Sequence, residues 1–344
     1  MPKEIHTRLR PEGGIEEYEV EATNSTAKSL ILDPESETPQ KTRRRYTLPI
    51  WILGKLEVLA QSRVEIFSAS NKTKEELNTW SLDDPGTVWN IVHTVHASSR
   101  IENEGVQASQ VPAIYHAVTR ARGQTSEELD LRQSAERDIS LAYFWALSNP
   151  RRPLLSVDFV LELHRRMFES SRPEIAGCFK TSEVFIADDE RQFYNVSTLP
   201  YPKAKRYLAA ACERTCKAFD DADKLASHSK LIIIAEFILD FLAIHPFQDG
   251  NGRTARLLST YLLEACGYHF ARFYPIDQVI LDGRNDYFAA LFSGQTNWYN
   301  ENEDLTQWIT YYIEAVFKQW ERAFSEIRDL ASKQEDSPAN ESKI

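Results

Sequence analysis

The chain has 344 residues, of which 42% are hydrophobic and 26% charged, the balance of an ordinary soluble globular protein with room for one large domain or two. A formal net charge of -11 argues against nucleic acid as a principal partner, because a phosphate backbone demands a basic face. Four cysteines without Cys-x-x-Cys spacing, no secretory leader and no long apolar span point to a reducing, cytoplasmic setting without membrane attachment.

Residues 1–45 are acidic and polar, with Glu16 beside Glu17 and few aromatics, so a mobile arm or short irregular strands is expected. Lys41, Arg43, Arg44 and Arg45 read as a solvated linker cluster. From Tyr46 the period becomes helical: Ile50, Leu53, Leu56 and Leu59 recur at three-to-four spacing. Pro85 and Gly86 then open a second helix that buries Val88, Ile91, Val92 and Val95, with Gly105 as the expected stop. Ser98 and Glu102, four residues apart, continue the Ile91–Val95 face, and polar groups on a core-facing stripe need partners.

A long charged helical pattern covers 126–147 and ends at Asn149 and Pro150. An amphipathic helix over 154–168, N-capped by Ser156, follows. The next stretch changes in kind. Val184, Phe185 and Ile186, a polar tip at 188–190, and Phe193 to Val196 read as a β-hairpin. Residues 203–222 form another helix, in which Cys212 and Cys216 share a face as packed thiols. Residues 231–244 are almost wholly apolar but shorter than the ~20 residues a membrane span needs, which suits a buried central helix. Arg284 opens a helix bearing Tyr287 and Phe288, and 306–330 carries Trp308, Ile309, Ile313, Val316, Phe317 and Trp320 at docking periodicity. Disorder is expected beyond Ser332. The fold class is all-α with one small β-hairpin, divided as an arm (1–45), an N-terminal helical region (46–150), a core (151–300) and a C-terminal helix with its tail (301–344).

The chain is organised around the twelve residues from His245 to Arg256. Gly250 and Gly252 leave backbone N–H groups unshielded and permit positive φ. A helix-forming run over 254–265, ending near Gly267, follows at once, so those donors should sit at a helix N-terminus, where orphan N–H groups and the dipole bind anions. Arg253 and Arg256 are three apart on one face, and their guanidinium forks suit phosphate oxygens. Asp249 is a hard oxygen ligand fit for a Mg²⁺ shared with phosphates. His245 titrates near working pH, as a general base requires, and Pro246 should hold it in an extended approach.

This stretch resembles the signature of the Fic family, His-x-Phe-x-Asp/Glu-Gly-Asn-Gly-Arg-x-x-Arg, with every defined position filled. The resemblance extends over about 46–325. It implies a helical enzyme that moves AMP from ATP onto a Ser, Thr or Tyr hydroxyl of a target protein, itself included, with a homodimer among the states left open. In that picture His245 deprotonates the hydroxyl and Asp249 holds Mg²⁺. Gly250, Asn251 and Gly252 cradle the α- and β-phosphates, while Arg253 and Arg256 bind further along the polyphosphate. Tyr287 or Phe288 contacts the nucleobase, although both also suit core packing. Ser98, Glu102 and Asn103 resemble the inhibitory motif Ser/Thr-x-x-x-Glu-Gly/Asn, whose glutamate reaches the last signature arginine, here Arg256, and blocks the γ-phosphate position. Val184, Phe185 and Ile186 match the flap that lines up a target segment by strand addition. Lys180 departs from the family, which commonly has arginine there. Two rivals stand beside the transferase: the reverse reaction, with Glu102 orienting a water that removes AMP, and a non-catalytic nucleotide-binding scaffold, against which the intact His245 and Asp249 speak.

Overall fold

The computed structural model describes residues 3–9, 15–21, 44–69, 85–120, 129–148, 155–186, 196–222, 229–296, 298 and 302–335. Within them lie eleven α-helices and two two-stranded antiparallel sheets, an all-α fold with minor β additions. The first sheet pairs β1 (Lys3–Leu9) with β2 (Ile15–Glu21), Lys3 opposite Glu21 and Leu9 opposite Ile15. A regular hairpin thus stands in part of the stretch expected to be an arm; residues 10–14 and 22–43 lie outside the described residues.

The hydrophobic centre is α7 (Ser229–Ile244), whose Phe237, Leu239 and Phe241 have no exposed surface. Such an all-round apolar helix has to be surrounded. Around it pack α6 (Ala204–Ala222), α8 (Asn251–Ala265), α10 (Arg284–Thr296) and α11 (Thr306–Glu335). The charge it carries inward, Asp240, accepts from Arg44 Nη1 at 2.7 Å and from Trp298 Nε1 at 2.8 Å, and Arg44 also grips Glu303 at 2.7 Å. Arg44 is therefore buried, not part of a solvated cluster. A buried carboxylate needs a paired cation, and this arginine supplies it.

Against the core lie α1 (Ile50–Ala69), docked on α11, and α2 (Pro85–Ile101). The buried stripe of α1 is Ile52, Leu56 and Leu59, whereas Ile50 and Leu53 face solvent; the helix is rotated from the expected register because Leu56 and Leu59 close an i, i+4, i+7 stripe with Ile52. On α2, Ile91, Val95 and Ile101 enter the main core, while Val88 and Val92 join Val111, Ile114 and Val118 in a smaller one with α3 (Val111–Thr119). Next comes α4 (Leu131–Leu147), opened by Asp130 and Gln133 as a reciprocal cap; residues 121–128, where it was expected to start, lie outside the described residues. Ser156 caps α5 (Val157–Met167) as the sequence predicts, its hydroxyl accepting from the Phe159 N–H at 3.1 Å. The second hairpin pairs β3 (Phe185–Ile186) with β4 (Val196–Ser197); its tip at 187–195 lies outside the described residues. A short helix without a strong sequence signal, α9 (Ile276–Asp282), packs on α2. The tail from 336 lies outside the described residues. Among the described residues no helix is long and apolar enough to cross a membrane.

Candidate functional site

His245 ends α7 in the left-handed region, at φ +51, not in the extended approach expected from Pro246. The cause is the helix end itself. The His245 N–H still donates to the Phe241 carbonyl at 2.9 Å, the single bond of an αL C-terminal motif, which requires positive φ at this position. A non-glycine residue held there carries strain that its surroundings must over-determine. Its ring Nδ1 faces the Leu242 carbonyl at 3.3 Å. A carbonyl can only accept, so Nδ1 carries the proton and Nε2 keeps its lone pair. Burial lowers the imidazole pKa to about 4, against a partial rise from the Leu242 contact, which leaves the ring neutral at pH 7.

The loop then turns into α8. Gly250 adopts φ +79, and a Cβ there would collide with the Phe168 ring, so glycine is required twice over. Asn251 is buried, and its amide is spent on the loop: Oδ1 accepts from the Phe247 N–H at 3.0 Å and Nδ2 donates to the Phe247 carbonyl at 2.9 Å. Its side chain therefore shapes the cradle instead of presenting a donor to solvent. The first intrahelical bond runs from Thr254 N–H to the Gly250 carbonyl at 2.9 Å. The N–H groups of Asn251, Gly252 and Arg253 are thus left without intrahelical partners, at the positive end of the dipole.

Both signature arginines are buried, and both meet carboxylates from the end of α2. That helix closes in a Schellman motif: Glu104 N–H donates to the Ser99 carbonyl at 3.0 Å and Asn103 N–H to the Arg100 carbonyl at 3.1 Å, with Asn103 at φ +59. Asn103, not Gly105, is the stop residue, and Gly105 serves instead to admit the Arg100 side chain. The motif fixes where Glu102 and Glu104 emerge. Glu102 Oε1 lies 2.8 Å from Arg256 Nη2, and any Cβ at Gly252 would collide with that oxygen. Glu104 Oε2 lies 2.8 Å from Arg253 Nη1. Arg256 also donates to the Ser98 hydroxyl at 2.9 Å and the Ser98 carbonyl at 3.0 Å. A second carboxylate, fully buried Asp277 on α9, sits 3.2 Å from its Nε. Burial pushes the Asp277 carboxyl up despite Arg256.

Asp249 pairs with Arg172, and with Arg253 at 3.2 Å. Burial opposes its charge, but Arg253, the Gly250 N–H and Arg172 together hold its carboxyl below the usual range. Behind it, fully buried His164 donates from Nε2 to the Asp249 carbonyl at 3.0 Å, accepts the Gly177 N–H at Nδ1 at 3.0 Å, and stacks on Phe247 with centroids 3.7 Å apart. Among the described residues no cluster of three or more His, Cys, Asp or Glu side chains could hold a metal alone. Tyr287 is 3% exposed, packs on Trp308 and Tyr311 within the core, and lines a cavity that Arg256 also borders. Its neighbour Phe288 is only partly buried, with the Arg284 guanidinium over its ring. The expected flap residues Phe185 and Ile186 pair with Ser197 and Val196, and Val184 accepts the Thr198 hydroxyl at 2.7 Å. Sequence reasoning missed Glu104, Arg172, His164 and Asp277; of these only Glu104 had a nearby signal, two residues past the inhibitory glutamate.

Residues 154–263 match the model of the Fic/DOC family. A protein adenylyltransferase Fic of Nematostella vectensis is 26% identical over 201 residues, covering 57% of this chain and 42% of that protein. Protein adenylyltransferase fic-1 of Caenorhabditis elegans is 29% identical over 139 residues, covering 40% and 23%. The matches thus span less than half the length of these curated relatives. Among solved structures, a Fic family protein from Desulfovibrio desulfuricans G20 superposes with a TM-score of 0.60 at 18% identity, covering 87% of this chain and 79% of that one. Fic-1 of C. elegans (residues 134–508) gives 0.56 at 17% identity, covering 81% and 74%.

Proposed function

From the premise that this chain belongs to the Fic/DOC family through its residues 154–263, we propose that it transfers AMP from ATP to a Ser, Thr or Tyr hydroxyl of a target protein and that Glu102 restrains the transfer. One observation carries this reading. A neutral histidine with its Nε2 lone pair intact stands at the lip of a helix N-terminus whose two buried arginines are held by carboxylates, an anion site with a base beside it. The target hydroxyl gives its proton to His245 Nε2, its oxygen bonds to the α-phosphorus, the bond to the β-phosphate bridge breaks, and pyrophosphate leaves. Little covalent chemistry falls to the protein, so positioning and charge neutralisation supply most of the rate. The Gly250–Gly252 backbone and the arginines hold the phosphates, and partly buried Phe288 on α10 contacts the adenine ring. The described ends of β3 and β4 offer a strand edge for a target segment.

Mg²⁺ fits this donor set. Asp249 is an ionised, partly exposed carboxylate at the loop, and Mg²⁺ is commonly held by one or two carboxylates plus substrate phosphates; when bound, it would neutralise phosphate charge. Asp249→Ala should remove divalent-cation dependence and leave the fold intact, checked by labelling across a Mg²⁺ titration alongside circular dichroism. The function itself is tested by incubating the Glu102→Gly protein and a lysate with ATP labelled at the α-phosphate. Label should reach protein, and His245→Ala should lose roughly 10²–10⁴ in rate with ATP binding retained. Equal labelling by His245→Ala would exclude His245 as the base. Release of AMP from modified protein, without labelling by ATP, would favour the reverse reaction.

A further inference from the structure

We propose that Lys180 is a positioning residue for His245, clamping the chain on both sides of the base and tying it to the foot of the β3–β4 hairpin; this rests on the reading of His245 as the base. Lys180 is 3% exposed. Its ammonium has three protons and spends all three: on the Thr198 hydroxyl at 2.9 Å, the Leu199 carbonyl at 2.6 Å and the Ile244 carbonyl at 3.2 Å. Its own amide donates to the Pro246 carbonyl at 2.9 Å. Ile244 and Pro246 are the residues either side of His245, so one residue fixes both neighbours of the base. The other two ammonium bonds reach the hairpin. Thr198 passes the link on by donating to the Val184 carbonyl at 2.7 Å, and the Leu199 N–H donates to the Ala243 carbonyl at 3.2 Å.

Lys180 does more than fill space in the core. First, His245 holds φ +51 before a proline, a conformation that persists only where its surroundings over-determine it, and the Lys180 bonds on either side do so. Second, all three ammonium donors end on uncharged acceptors, not on a carboxylate. Burying a cation that way is costly, and a hydrophobic side chain of similar length would fill the space more cheaply. Its charge is also felt at the ring: after burial and against the Leu242 contact, Lys180 is among the causes that lower the His245 pKa.

The test uses the full chain in the Glu102→Gly background, with Lys180→Met, Lys180→Arg and Thr198→Val compared. Three quantities are read: labelling by α-labelled ATP, ATP affinity, and hydrogen exchange at the amides of His245 and Leu199. Lys180→Met should lower the labelling rate roughly 100-fold, the cost of about 1 Å of misplacement, with ATP affinity within about twofold because the phosphate donors lie on α8. Exchange should quicken at both amides together while the α8 amides keep their protection. Lys180→Arg, which keeps charge and donors, should recover most of the rate. Thr198→Val, which removes one acceptor at little cost in volume, should move the same readouts by less and serves if Lys180→Met does not fold. Labelling by Lys180→Met within about threefold of its parent, or faster exchange confined to the hairpin, would overturn the clamp. If the Glu102→Gly parent itself labels nothing, the transferase reading fails, and the exchange measurements still decide whether Lys180 couples hairpin and base.

Discussion

Arg256 carries its charge at every accessible pH, so what competes for it decides what a nucleotide can reach. Its competitors differ in kind. Asp277 is fully buried and cannot leave without unpacking α9, whereas the Glu102 side chain is 32% exposed and can swing out. Asp277 therefore anchors the guanidinium, and Glu102 occludes it. Removing Glu102 should raise labelling by ATP on the order of ten- to hundredfold, since a hydrogen bond to a charged group is worth about 1.5–3 kcal/mol; a Glu102→Gly/Arg256→Ala double variant should lose that gain. Glu104 holds Arg253 from a side chain that is 50% exposed. Such a pair is largely screened, worth about 0.2–1 kcal/mol, so Glu104→Ala alone should raise labelling no more than about fivefold. A Glu102→Gly protein no faster than the parent would show that the pair stabilises the helix end and nothing else.

At the scale of elements, both glutamates owe their aim to one turn. The Schellman bonds from Asn103 and Glu104 back to Arg100 and Ser99 end α2 with Asn103 in the left-handed region. Asn103→Gly keeps that conformation available, and stability and restraint should both survive. Asn103→Ile should cost about 1–2 kcal/mol and raise labelling without removing a single charge, because Glu102 and Glu104 lose their common placement. Thermal melts and the ATP-labelling assay check the pair; equal labelling by the two variants would mean the glutamates find the arginines without the turn. What was legible in the sequence divides along the same line. The signature, the Ser98–Glu102 spacing and the Ser156 cap are all written within a few residues, where helical periodicity and capping chemistry operate. Asn103 could have been preferred to Gly105 as the stop, since asparagine also tolerates positive φ. Asp249, Arg253 and Asp240, by contrast, each take a further partner, Arg172, Glu104 and Arg44, from far off in the chain. No local pattern specifies such pairings. The stripe of α1 was misjudged for a related reason: an apolar run on three of its faces leaves the buried face to be chosen by α11.

Across the whole molecule, the site places neutral and charged groups against burial, and stability should record it as pH changes. His164 is fully buried, and desolvation lowers its pKa to about 4 from 6.5, in a ring whose Nδ1 must stay bare to accept the Gly177 N–H. The unfolded chain takes up that proton at higher pH than the folded one. The contribution is therefore complete above about 6.5, is lost as pH falls from there to about 4, and amounts to on the order of 3 kcal/mol. His245, shifted to about 4 by the same cause, adds to the loss in the same window. Glu236 opposes them. Burial raises its carboxyl to about 7 from 4.5, so its contribution is complete below about 4.5 and is lost as pH rises towards 7. Of these three groups the two histidines outweigh Glu236 on acidification from pH 7 to pH 5; His93, also lowered by burial, adds to the weakening, and Asp277, also raised by burial, adds to the masking. The masking can be lifted. In urea titrations at pH 7 and pH 5, His164→Asn should flatten the difference between the two pH values, whatever it does to stability at each. Glu236→Gln should steepen it. The two changes have opposite signs because one group is buried as a neutral base and the other as a neutral acid. Identical pH differences in wild type and His164→Asn would mean that His164 is not held neutral by the bonds it makes to Gly177 and Asp249.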